Sequence, residues 1–192
     1  MLWRLGSSTL IRFWIVSTLG ASIIAALDGG WLASWAALVP SRIWRGEVWR
    51  LVTWSLVESG PMALVMTCLA IYKFGGELAV RWGDRRLRRF VVTIVVVAAV
   101  VTTVLATVTG NSSLWRCGGW AVTDALVIAW ARQFPNSTLV LYGLVALRGR
   151  ELIRLTVAVA VVFALYVGPI TMAPELVACL CAAFYPAAML RR

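Results

Sequence analysis

The sequence predicts an all-α, polytopic membrane protein with six spans, and three observations carry that prediction. The 192 residues are 61% hydrophobic and only 14% charged, with a mean hydropathy of +0.88, where ordinary soluble chains are roughly half apolar and a quarter charged. The apolar residues gather in runs near the length that crosses about 30 Å of hydrocarbon at 1.5 Å per helical residue. The 18 basic residues exceed the 8 acidic ones to give a net charge of +10. They sit in clusters between the apolar runs and share no single face, which is the signature of membrane loops and gives no nucleic-acid surface.

In chain order the spans fall near 9–27, 61–80, 90–109, 118–132, 152–170 and 173–190, forming one domain over 1–192. The first follows a basic start (Arg4, Arg12) that resembles a signal peptide; with Met1 at its head the segment is expected to stay as a signal anchor. The connection 28–60 is rich in tryptophan (Trp31, Trp35, Trp44, Trp49, Trp54) and too long to lack structure. It is expected to form short helices at the membrane interface, broken at Pro40 and Gly46. The fourth span holds too few apolar residues before Arg132 to face lipid, reaching only about 20 Å. It is expected to begin partway through the membrane at Gly118-Gly119, enclosed by the other helices. The apolar stretch 138–147, between Pro135-Asn136 and Arg148-Gly149-Arg150, reads as an interfacial segment leading into span five.

With six spans, Arg4, the group Arg81, Arg85, Arg86, Arg88 and Arg89, the group Arg132, Arg148, Arg150 and Arg154, and the closing Arg191 and Arg192 all share one side. The other side receives Arg42, Arg45 and Arg50, balanced by Asp28, Glu47 and Glu58, plus Arg116 alone. The positive-inside rule then puts both termini in the cytoplasm, where the clusters meet anionic lipid headgroups. Short loops and a compact chain suggest a bacterial inner membrane.

Chemistry is restricted by what the composition lacks. The sequence contains no histidine, so Ser-His, Cys-His and His-metal sites are excluded. The four cysteines show no C-x-x-C spacing; Cys68, Cys179 and Cys181 lie in apolar runs and Cys117 in a short connection, so they read as small hydrophobes, with no metal or cofactor expected.

The segment order and local text resemble the rhomboid-like superfamily: rhomboid proteases, their inactive relatives, derlins and the Golgi rhomboid-like proteins. Gly46-Glu47-Val48-Trp49-Arg50-Leu51-Val52-Thr53 is similar to the tryptophan-arginine element ahead of span two. Phe74-Gly75-Gly76-Glu77-Leu78-Ala79-Val80-Arg81-Trp82-Gly83 is similar to the glycine, acid and W-G run that ends it. With Leu56-Val57-Glu58, these elements are closest to the derlin and Golgi types. The physical reading beside this is that Arg50 satisfies loop carbonyls while Trp49 anchors at the interface, Gly75-Gly76 allows close helix approach, and Trp82-Gly83-Asp84 is a helix stop followed by an N-cap.

The resemblance implies a catalytically inactive member. In the proteases a G-x-S-G element opens span four and a span-six histidine is the base; here Cys117-Gly118-Gly119-Trp120 puts Gly119 at the serine position, with Trp120 at the following glycine, and Glu175 at or beside the histidine position. Ala63 and Thr67 stand where the proteases hold the oxyanion. Without nucleophile or base, serine hydrolysis is excluded and the chain is expected not to be an enzyme.

Asp124 and Glu175 are the carboxylates expected at membrane depth, as structural groups, partner contacts or a proton or ion path. Two functions remain. One is a client-binding scaffold that docks transmembrane helices of other proteins at an opening between helices two and five. The alternative is a permanent accessory subunit of a large membrane complex, gripping neighbours through Trp31, Trp35, Trp44, Trp49, Arg50, Trp54 and Trp120.

Overall fold

The computed structural model describes residues 8–141 and 145–185. Its helices are α1 (Thr9–Leu27), α2 (Trp31–Ala36), α3 (Pro40–Ile43), α4 (Arg50–Thr53), α5 (Pro61–Ala70), α6 (Gly76–Trp82), α7 (Asp84–Val108), α8 (Trp120–Gln133), α9 (Gly149–Val167) and α10 (Ala173–Phe184). A π-helical turn, Ile71–Gly75, joins α5 to α6 without a break, so Pro61–Trp82 is one long helix. Among the described residues, three helices are long and apolar enough to cross a membrane: Thr9–Leu27, Pro61–Trp82 and Asp84–Val108. Ala173–Phe184 is apolar but shorter, and the part of the expected sixth span beyond 185 lies outside the described residues.

The expectation of an all-helical chain needs one correction. The stretch after Pro135 is a β-hairpin, β1 (Thr138–Leu141) and β2 (Val145–Arg148), paired antiparallel with Thr138 opposite Arg148 and Leu141 opposite Val145. A run this short is ambiguous between strand and helix from its apolar pattern alone. The helix that follows is claimed by Glu151, whose carboxylate accepts from the Arg148 N–H at 2.8 Å.

The connection 28–60 is ordered, as its length demands. Pro40 marks the break between α2 and α3, as the first residue of α3, where a missing N–H costs nothing. Gly46 turns at φ +100°. At the far end of α6, Gly83 with φ +81° both ends α6 and precedes α7. Asp84 is therefore the first residue of α7, not its cap, and accepts from Ser8 Oγ at 2.8 Å.

Helix α8 forms the centre. It has 14 residues, and Ala121, Val122, Leu126, Ile128, Trp130 and Ala131 among others are buried around its whole circumference. It packs on α5, α7, α9 and α10. Small side chains let those neighbours approach, the usual device where lipid offers little hydrophobic drive for association. Gly75 does the same for α1: a Cβ there would lie 3.0 Å from Ile11 Cδ1. Two charged groups serve this packing. Glu77 accepts from Trp130 Nε1 at 2.5 Å and pairs with Lys73 at 2.5 Å. Arg132 Nη1 donates to the carbonyls of Ala182 (2.7 Å) and Tyr185 (3.0 Å), closing the C-terminus of α10.

Candidate functional site

The amino end of α8 collects the polar groups that the apolar sequence contains. Gly119 precedes the helix, so its N–H is one of those a helix start leaves unsatisfied. Glu58 supplies the acceptor: its Oε1 takes the Gly119 N–H at 2.7 Å and the Thr67 hydroxyl at 2.6 Å. Glu58 is only 6% exposed, and an anion at a helix N-terminus is favoured by the helix dipole. The Glu58 N–H donates to Ser22 Oγ at 3.0 Å, so one loop residue ties together α1, α5 and α8. The backbone is laced alongside it, with the Gly118 N–H on the Trp54 carbonyl at 2.9 Å and Cys117 Sγ donating to the Val57 carbonyl at 3.0 Å. Burial, and then the Glu58 charge, push the Cys117 thiol up to about 12, so it stays protonated and is no nucleophile.

Gly119 stands in a fully occupied space. A Cβ on it would fall 2.9 Å from Glu58 Oε1, 2.9 Å from Thr67 Cγ2 and 3.3 Å from the Ser55 carbonyl oxygen. Gly118, at φ +134°, would bring a Cβ 3.1 Å from Glu58 Oε2. We expect Gly119→Ser to destabilise the protein by about 1–3 kcal/mol through overpacking, read by thermal unfolding in detergent. The loss should shrink when Glu58→Ala is added, because the two changes share one space; strict additivity would show that Glu58 does not fill the site.

A second polar cluster lies at the start of α10. Arg116, in the connection ahead of α8, donates through Nη2 to Glu175 Oε1 as an ion pair, and the Glu175 side chain is 6% exposed. Glu175 Oε2 and Arg116 Nε have no partner among the described residues. The Arg116 backbone is fixed by an antiparallel bridge to Leu38, with N–H to O distances of 2.8 and 3.2 Å. Asp124 lies one turn into α8 and shares an electrostatic interaction with Glu175.

The structure therefore brings Gly119 and Thr67 together, and separately Asp124 and Glu175; Ala63 lies half-buried one turn before Thr67 on α5. The aromatic candidates divide. Trp31, Trp35, Trp44, Trp49 and Trp120 are exposed, Trp31 to 67% and Trp44 to 64%. Trp54 and Arg50 are fully buried, at 1% and 0%, so they hold the loop from within and offer nothing at its surface. The residue that sequence reasoning passed over is Glu58, counted only as an outer-loop charge and as part of a resembling tripeptide. Its signal was a lone acid in the run Ser55-Leu56-Val57-Glu58-Ser59-Gly60 just ahead of Pro61, a loop position whose depth no periodicity encodes.

Among curated proteins none matches this chain. The family described as "Eukaryotic integral membrane protein (DUF1751)" matches residues 8–185, nearly the whole chain, and the protein belongs to that family of integral membrane proteins.

Proposed function

We infer that this is a non-catalytic, rhomboid-like membrane protein that binds transmembrane segments of partner proteins. The observation that carries the reading is the flank of α8. Helices α5 and α9 both pack on α8 without substantial packing on each other, and each leaves large apolar side chains outward, among them Met62 and Leu69 on α5 and Phe163 and Tyr166 on α9. A helix laid along that flank would find apolar walls and the half-exposed Trp120 at the head of α8. Chemistry is not part of the reading: the nucleophile's place is a glycine walled in by Glu58 and Thr67, and the sequence has no histidine to act as base.

The proposal includes six spans with both termini on the cytoplasmic side, which the segregation of arginines supports. It assigns Asn111 and Asn136, both exposed and on either side of α8, to opposite faces. Single cysteines at these positions in a cysteine-free background should react with a membrane-impermeant maleimide from opposite sides of sealed vesicles; labelling from one side overturns the six-span arrangement. The family's eukaryotic description counts against the bacterial inner membrane that the short loops suggest.

The alternative, a permanent subunit of a larger complex, draws on the exposed Trp31 and Trp44. Mild-detergent purification of the tagged protein, with mass spectrometry of what co-elutes, separates the two. Varied substoichiometric single-span proteins, lost when Trp120 or Phe163 is changed to a charged residue, support client binding. One fixed set of subunits in constant ratio overturns it in favour of the structural reading.

A further inference from the structure

A separate feature lies on the opposite flank, between α1 and α7. These two helices are joined at one end by the Ser8–Asp84 hydrogen bond and otherwise pack little on one another. The space between them is an apolar groove of about 300 Å³. Leu10, Trp14 and Val95 line it, together with Ser55 and Leu56 of the long loop. Towards the arginine-rich end it runs into a second cavity of about 440 Å³. The two share Leu10, Phe13 and Arg88, and the second adds Arg85.

The mouth is cationic. Arg85 and Arg88 are exposed and have no hydrogen-bond or ion-pair partner among the described residues, while Asp84, the one acid there, is engaged by Ser8. Two unpaired guanidiniums at the rim of an apolar slot match the two halves of a membrane lipid. A partner helix does not fit: it is about 10 Å across with its side chains, more than a groove of about 300 Å³ admits.

We propose that the α1–α7 groove is a binding site for one anionic phospholipid, with an acyl chain between Trp14 and Val95 and the headgroup phosphate on Arg85 and Arg88. Basic pockets between transmembrane helices select anionic headgroups in this way, and the planar guanidinium suits a phosphate's paired oxygens. The groove is lined in part by Ser55, whose carbonyl also borders Gly119, so an occupied groove would brace the loop segment that carries Glu58.

The test is native mass spectrometry of the full chain in a neutral detergent, titrated with phosphatidylglycerol or with phosphatidylcholine of the same acyl chains. One saturating phosphatidylglycerol adduct is expected, undisturbed by excess inorganic phosphate. Arg85→Gln with Arg88→Gln should weaken it roughly thirtyfold. Val92→Trp, which fills the groove from its half-exposed lip, should weaken it without touching the charge. Arg81→Gln with Arg89→Gln, exposed positions outside the groove, should leave it unchanged. Equal uptake of phosphatidylcholine, displacement by phosphate alone, or an equal loss in the Arg81/Arg89 control each overturns the proposal.

Discussion

Arg116→Ala is expected to destabilise the protein by about 3–5 kcal/mol, the range seen when one member of a buried ion pair is removed. The cause is what remains. Glu175 lies at the start of α10 with its side chain 6% exposed, its second oxygen without a partner among the described residues and its charge felt by Asp124 of α8. Without the guanidinium, the Glu175 carboxylate is left without its counter-charge where α10 packs on α8, with Asp124 of α8 within its electrostatic reach. Charge neutralisation should relieve this: Glu175→Gln keeps an acceptor for Arg116 and removes one anion, so its cost should be the smaller, and the double variant Arg116→Met with Glu175→Leu should recover most of the loss. Thermal unfolding of these variants beside the parent in one detergent, with Arg116→Met and Glu175→Leu as the single changes that complete the cycle, gives the coupling directly. A loss below 1 kcal/mol for Arg116→Ala would mean that the carboxylate is hydrated and that the pair does not hold the loop to α10.

That pair also shows where sequence reasoning stopped. Arg116 was legible only as a lone cation on the sparsely charged side, and Glu175 only as an acid at the head of an apolar run. Hydropathy periods locate each on its segment; they do not say that residues 59 positions apart share a site. What was legible was whatever depends on local pattern: the first span at 9–27, which the structure places at Thr9–Leu27, the short enclosed helix after Gly119, the ordered tryptophan loop, and close approach at Gly75. What was not legible depends on competition between local choices. The hairpin at 138–148 follows from strand pairing that a ten-residue apolar run does not announce. Glu58 follows from how a loop folds back under three helices. Gly119 was visible as the start of that short helix, but that the space beside it is filled by a carboxylate came only from the packing.

The tryptophan-arginine element was read as a surface anchor with a carbonyl-binding arginine, and the second half of that reading yields the other large effect. Arg50 is fully buried, its Nε on Glu47 at 2.6 Å and its Nη1 on the carbonyls of Ser34 at 2.8 Å and Ala37 at 2.7 Å. It thereby fixes α4 to the end of α2, and Thr53 Oγ1 adds a bond to the Ala36 carbonyl at 3.0 Å. Trp35 and Trp49 stack above this at 5.5 Å and 19°, so the aromatic pair and the guanidinium brace the same junction. Arg50→Ala strands two carbonyls and a carboxylate in the loop, at about 1–3 kcal/mol for each buried group left unpaired, and about 3 kcal/mol in all is expected. Arg50→Lys should recover little, because a single ammonium lacks the fork that reaches three acceptors in fixed directions. Limited proteolysis distinguishes this from a general loss of stability. The Arg50 variants should be cut within 28–60 while α7, α8 and α10 remain protected, whereas Arg116→Ala should open the α8–α10 contact as well. If Arg50→Ala left the loop protected, the stacked tryptophans, the Thr53–Ala36 bond and the Leu38–Arg116 bridge would suffice to hold it, and Arg50 would not be its brace.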